Sequence, residues 1–232
     1  MQKKFLSISQ KKNFQKMKKH IYLLPGTAAN SKIFDRIELP KERFELHFLE
    51  WVLPTDKNES LETYAGRMCQ KIQHEKPILL GVSFGGILVQ EMSKQIACEK
   101  IVLVSSIKNK GEFSFFLKCI RATKIYQLFP SKFLFQIEKI LSCFFGPKAD
   151  KRIAAYRTYL SYRNPTYLKW AIHNALCWSQ RESLSNTLHI HGNKDPIFPL
   201  HCIKNCEVVK NGSHIMILTK AKEICKILVQ NL

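Results

Sequence analysis

Short, nearly unbroken apolar runs recur along this chain, separated by stretches in which hydrophobic positions fall at helical spacing. His20 to Leu24 reads as a first strand. It ends in the small-residue loop Pro25-Gly26-Thr27-Ala28-Ala29-Asn30, where a ligand can approach the backbone closely. Ile33 to Ile37 follows as a helix that Ser31 could cap, and Phe44 to Trp51 as a second strand. Pro54 to Asn58 is a loop. Leu61, Tyr64, Ala65, Met68, Cys69 and Ile72 then recur with helical period. Pro77 ends that element and opens the strand Ile78-Leu79-Leu80-Gly81. A helix runs from Ile87 to about Ala97, and Lys100 to Ser106 is another strand. Strands that are apolar throughout, alternating with helices, predict a parallel sheet covered on both faces. Ligands of such sheets bind beyond the carboxyl ends of the strands.

The alternation stops at Ile107. Residues 108–180 contain no strand run. They carry Phe113, Phe115, Phe116, Phe129, Phe133, Phe135, Phe144 and Phe145 among basic residues such as Lys118, Arg121, Lys132, Lys139, Lys148, Arg152 and Arg163. Pro130, Gly146-Pro147 and Asn164-Pro165 divide this stretch into about four helices, expected as an all-helical insertion over the sheet. Its phenylalanines either line a pocket or form ordinary helix core. Strand pattern returns at Thr187 to Gly192 and at Cys206 to Val209. Ala221, Ile224, Cys225, Leu228 and Leu232 make a closing amphipathic helix. The expected division is a core of 19–107 with 181–232, a helical insertion of 108–180, and a basic leader of 1–18 with nothing to nucleate packing. Met17 sits just ahead of the first strand, where the native start could lie.

Composition changes this picture in two ways. With 37 Lys+Arg against 18 Asp+Glu, the net charge is +19, a field that attracts polyanions. No nucleic-acid motif accompanies it, so an acidic carrier protein or an anionic membrane surface is the expected class of partner, and nucleic acid is not. The other reading is a solvated, lysine-rich surface with no partner. The eight cysteines include one close pair, Cys202 and Cys206, without the second pair that a zinc site would need. No metal site and no cofactor is expected, and reduced thiols point to the cytoplasm. No apolar run reaches the roughly 18 residues of a membrane span, and the leader lacks the apolar core of a secretory signal.

The chemistry concentrates at Gly81-Val82-Ser83-Phe84-Gly85-Gly86. Strand, G-x-S-x-G and helix in succession hold a serine in a sharp turn at the sheet edge, with its hydroxyl at a helix N-terminus. A serine hydroxyl needs a base to attack, and the base needs a group that sets its tautomer. His214, in Gly212-Ser213-His214 ahead of the last helix, supplies the base. Asp195, in His191-Gly192-Asn193-Lys194-Asp195-Pro196, supplies the orienting acid. Each has a plainer alternative: Asp195 in a simple turn with Pro196, His214 as a surface histidine like His20, His47, His74, His173, His189 or His201. His191 reads as structural, and Asp56 and Asp150 as solvated.

With the elbow at Ser83, the His-Gly-x-x-Asp loop and the Gly-x-His loop in this order, the chain from about residue 20 to 232 resembles the α/β-hydrolases of the serine-nucleophile type. In size and layout it resembles the pimeloyl-carrier-protein methyl ester esterases. The resemblance implies the α/β-hydrolase fold with a helical cap, and cleavage of a carboxylic ester or thioester through an acyl-serine. It implies attack by Ser83, His214 as base then acid, and Asp195 orienting His214. It further implies an oxyanion hole from the backbone N–H groups of Phe84 and Thr27. Relatives often carry His-Gly ahead of that second donor, where this chain has Pro25-Gly26. Phe84, Gly26, Phe116 and Ile215 are the expected substrate contacts. A serine rather than an aspartate at the elbow argues against a carboxylate nucleophile. Three rival roles remain: an esterase for acyl groups on an acidic carrier, a membrane-surface lipase, and a silent binding protein.

Overall fold

The computed structural model describes residues 18–128 and 158–232. Six strands form one sheet: β1 (Lys19–Leu24), β2 (Phe44–Phe48), β3 (Ile78–Val82), β4 (Lys100–Val104), β5 (Thr187–Gly192) and β6 (Glu207–Val209), in the order β2-β1-β3-β4-β5-β6. All five pairings are parallel. A parallel pairing needs a crossover between its strands. Helices α1 (Leu61–Cys69), α2 (Phe84–Met92), α3 (Phe115–Thr123) and α4 (Pro165–Cys177) lie in the crossovers from β2 to β5, 3₁₀ turns lie in the β1–β2 and β5–β6 connections, and α5 (Met216–Thr219) and α6 (Ala221–Asn231) follow β6.

Alternate side chains of the strands enter two cores. Tyr22, Leu24, Leu79, Ile101 and Leu103 pack with α1, α2 and α4 on one face. Ile21, Leu23, Ile78, Leu80, Val102, Val104 and Ile190 pack with Ile33, Phe34, Ile224 and Leu228 on the other. Both faces are therefore buried, which is why the strands read as continuous apolar runs.

The local differences from the sequence expectations have local causes. The helix expected over Ile33 to Ile37 is a 3₁₀ turn, Ser31–Phe34, and its cap is Asn30 rather than Ser31, the Asn30 side chain accepting from the Lys32 amide. The second strand stops at Phe48, short of Trp51. Helix α2 starts at Phe84, three positions before the expected Ile87, because its first turn is the elbow itself. Between β4 and β5 the described residues are helical or irregular. Phe129, Pro130, Lys132, Phe133, Phe135, Lys139, Phe144, Phe145, Gly146-Pro147, Lys148, Asp150 and Arg152 lie outside them, as does the leader to Met17. Asn164 caps α4 by accepting from the Thr166 and Tyr167 amides, with Pro165 in the first turn. No helix among the described residues is long and apolar enough to cross a membrane.

Candidate active site

Ser83 sits between β3 and α2 with φ 53° and ψ −120°. That backbone is strained for a residue with a Cβ, and surrounding packing must hold it. Glycine makes the packing possible. A Cβ on Gly81 would lie 2.3 Å from the Gly85 carbonyl oxygen, and one on Gly85 would lie 2.3 Å from that of Pro25. The Ser83 amide donates to Val104 O at 3.0 Å, and Ser106 Oγ donates to Ser83 O at 2.7 Å. Ser83 occupies the N-cap position of α2, yet its side chain makes no capping bond. The hydroxyl faces His214 instead.

His214 reaches it from the loop between β6 and α5. Its Nε2 lies 2.9 Å from Ser83 Oγ, and its Nδ1 lies 2.9 Å from Asp195 Oδ2. Two loops hold this register: the Lys194 amide donates to Gly212 O at 2.8 Å and the Asn211 amide to Asn193 Oδ1 at 2.7 Å. The Asp195 carboxylate is divided between two tasks. Oδ1 accepts from the Ile197 and Phe198 amides at 2.8 and 3.0 Å, which leaves Oδ2 for the ring. Burial alone would raise this carboxyl. The charge of the neighbouring His214, the hydrogen bond from its ring and the Phe198 amide outweigh burial and hold the group below the ordinary carboxylate range. An ionised Asp195 accepts from His214 Nδ1–H, so Nε2 carries a lone pair for the Ser83 proton.

His191 takes no direct part. It is fully buried, with Nε2 2.8 Å from Phe198 O and 3.6 Å from Asp195 Oδ2. It packs beneath the Asp195 loop, in keeping with a structural role.

The loop after β1 lies against the elbow. A Cβ on Gly26 would stand 3.4 Å from Ser83 Cβ. Trp51 Nε1 donates to Gly26 O at 3.0 Å, and the Tyr162 amide donates to Ala28 O at 3.0 Å, so β2's exit and the approach to α4 both clamp this loop. The turn Gly26–Ala29 closes with Ala28 at φ 65°. The amides of Thr27 and Phe84 enter no hydrogen bond among the described residues. The Phe84 amide stands at the N-terminus of α2 next to Ser83, and the Thr27 amide lies in the loop that packs against the elbow.

The remaining substrate expectations divide. Ile215 follows His214 directly and is half-buried. The Phe84 ring is buried, stacked on Trp51 at 5.4 Å between centroids and edge-on to Trp170 at 5.8 Å. Phe116 is 65 % exposed on α3 and belongs to neither core, and Phe115 is 82 % exposed. The rings packed around Phe84 are Trp51, Tyr167 and Trp170, all buried in the same core. Nor are all the other histidines lone surface groups: His189 is buried, and His20, His47 and His74 stand together.

No protein-family model matches the sequence, and no curated protein matches it either. Solved structures do resemble the fold. A bromoperoxidase from Bacillus anthracis superposes with a TM-score of 0.65 at 17 % identity, over 93 % of this chain and 92 % of that one. MenH from S. aureus gives 0.67 at 15 % identity, over 92 % and 93 %. The esterase EaEST from Exiguobacterium antarcticum gives 0.61 at 16 % identity, over 91 % of each. An α/β hydrolase fold protein from Burkholderia ambifaria is similar over 92 % and 91 %.

Proposed function

We propose that this chain, which has the α/β-hydrolase fold, is a serine hydrolase that cleaves carboxylic esters or thioesters through an acyl-serine intermediate. The observation that carries this reading is the unbroken relay from buried Asp195 through His214 to Ser83, with 2.9 Å at each link. Ser83 Oγ attacks the acyl carbon as its proton passes to His214 Nε2. The carbonyl π electrons move to oxygen, and the Phe84 and Thr27 amides stabilise the resulting charge. Collapse breaks the bond to the leaving alkoxide or thiolate, which takes the proton from His214. Water then gives its proton to His214 and attacks the acyl-serine. The proton returns to Ser83 Oγ, and the carboxylic acid leaves. Asp195 stabilises the imidazolium in both halves without itself taking the proton.

All seven described cysteines are free thiols, in keeping with work in the cytoplasm. The test is hydrolysis of p-nitrophenyl esters of graded chain length, with matched acyl thioesters. The reading expects saturable turnover that Ser83→Ala removes. Turnover that survives Ser83→Ala, or none on any ester or thioester, would overturn it.

A further inference from the structure

Far from Ser83 along β1, three imidazoles meet. His20 lies near the start of β1, His47 on β2, and His74 in the segment between α1 and β3. The parallel register pairs His20 with Glu45 and Tyr22 with His47, so these four side chains share one face of the sheet edge. His20 Nδ1 is 3.0 Å from His47 Nε2. The His74 ring stacks on His20 with 3.5 Å between centroids, and its centroid is 4.7 Å from that of His47. One ring nitrogen from each of the three lies within 4.8 Å of the others.

We propose that His20, His47 and His74 form a binding site for one first-row transition-metal dication, with Zn²⁺ as the reference ion. Two nitrogens held about 2.05 Å from a tetrahedral zinc stand roughly 3.3 Å apart. The His20–His47 spacing is within a few tenths of an ångström of that, and a rotation of the His74 ring off its stack brings in the third. Imidazole donors select zinc, copper or nickel over magnesium or calcium, which prefer oxygen. The Glu45 carboxylate, 3.8 Å from His20 Nδ1, stands beside the fourth position.

The surroundings orient a ligand. Tyr22 Oη accepts from the Gln73 amide at 2.9 Å and lies 2.7 Å from His74 Nδ1. With Nδ1–H donating to that oxygen, His74 Nε2 is left for the ion, the outer-shell arrangement that ligating histidines use. Such an ion would tie edge strand β2 to β1 and to the segment behind α1. It would not reach the chemistry: Tyr22, level with His47, and Gly26 are roughly 13 Å apart along the chain at 3.3 Å per residue. The site is thus a structural clip.

The experiment titrates the tag-free, reduced full-length chain with Co²⁺ and then Zn²⁺. It follows the visible absorption of tetrahedral cobalt, the thiolate charge-transfer band, metal stoichiometry and Tm. The expected result is one ion per chain with the cobalt spectrum of nitrogen ligands and no thiolate band. Tm should rise by roughly 5–10 °C at a hundredfold excess of free zinc over Kd. His47→Gln and His74→Gln should each weaken binding at least about 100-fold and leave ester turnover at the wild-type value. His74 lies outside the sheet, so its variant tests the site even where His47→Gln folds poorly. No saturable binding below about 0.1 mM, a thiolate spectrum, or wild-type affinity in His74→Gln would overturn the proposal.

Discussion

At the carboxyl rim of the sheet one histidine stands between a buried carboxylate and a hydroxyl; on the β1–β2 edge, three histidines stand against one another. The side chain is the same and the settings are opposed. At the rim, Asp195 fixes the tautomer of His214 and points its free nitrogen at Ser83. At the other end the contacts are among imidazoles and a tyrosine, with Glu45 only alongside. The first setting can accept a proton and hold the charge that results. The second gathers ring nitrogens that suit a cation with empty orbitals. The backbone differs too: Ser83, Ala28 and Ser105 all have positive φ near the rim, whereas His20 and His47 lie in regular strands.

The sharpest way to break the contrast is to remove the rim nucleophile. Ser83→Ala should lower kcat on an ester roughly 10⁶-fold and leave the zinc titration unchanged. If both change, the two ends are coupled and the separation is wrong. Asp195→Asn comes next, with an expected loss of about 10⁴-fold in kcat. The carboxamide oxygen introduced there can still accept from the Ile197 and Phe198 amides. Its NH₂ would then face His214 Nδ1 and place the ring proton on Nε2, where it blocks Ser83. Near-normal steady-state rates in that variant would show that tautomer control is not what Asp195 contributes. Thr27→Pro, which deletes one rim amide, should cost about 10²–10³-fold in kcat with little change in KM.

A smaller effect separates the rim from the interior directly beneath it. His189, on β5, is buried, and neither ring nitrogen makes a well-formed hydrogen bond among the described residues. Burial, then the charge of His191 and of Lys108, pushes it down to about 3. Below the unfolded value of 6.5 the unfolded chain takes up a proton that the folded chain refuses, so stability falls with pH. The expected loss is about 2 kcal/mol between pH 8 and pH 5, roughly 30-fold in the folding equilibrium. Urea unfolding at the two pH values measures the slope, to which His20, His47 and His191, also held low, add their own share, and His189→Leu should reduce it by about 2 kcal/mol. An unchanged slope would contradict a neutral, buried His189. Asp195, held low in the fold, loses its contribution only below the unfolded carboxylate range near pH 4, so the two windows are distinct.

The rim was legible in the sequence because its constraints are local. Gly81 and Gly85 are where they are because two carbonyl oxygens leave no space for a methyl group, and that shows as G-x-S-x-G. Asp195 and His214 follow from strand-end loops in a fixed order. The aromatic cluster around Phe84 was not legible. Trp51, Tyr167 and Trp170 converge on Phe84 only through packing between distant segments, while Phe116, which local composition favoured, points to solvent. The histidine cluster was hidden for the same reason. His20 and His47 are 27 positions apart and meet only because of the strand register. Sheet class, by contrast, followed from burial on both faces, which leaves an apolar signature in every inner strand.

The central claim is that Ser83 is an activated nucleophile, and labelling with a fluorophosphonate probe tests it most directly, read by intact mass and peptide mapping. The account predicts one adduct per chain, located on Ser83, with labelling lost in Ser83→Ala and slowed by orders of magnitude in His214→Ala. A chain that stays unlabelled at millimolar probe, or that labels equally well without the Ser83 hydroxyl, would contradict it.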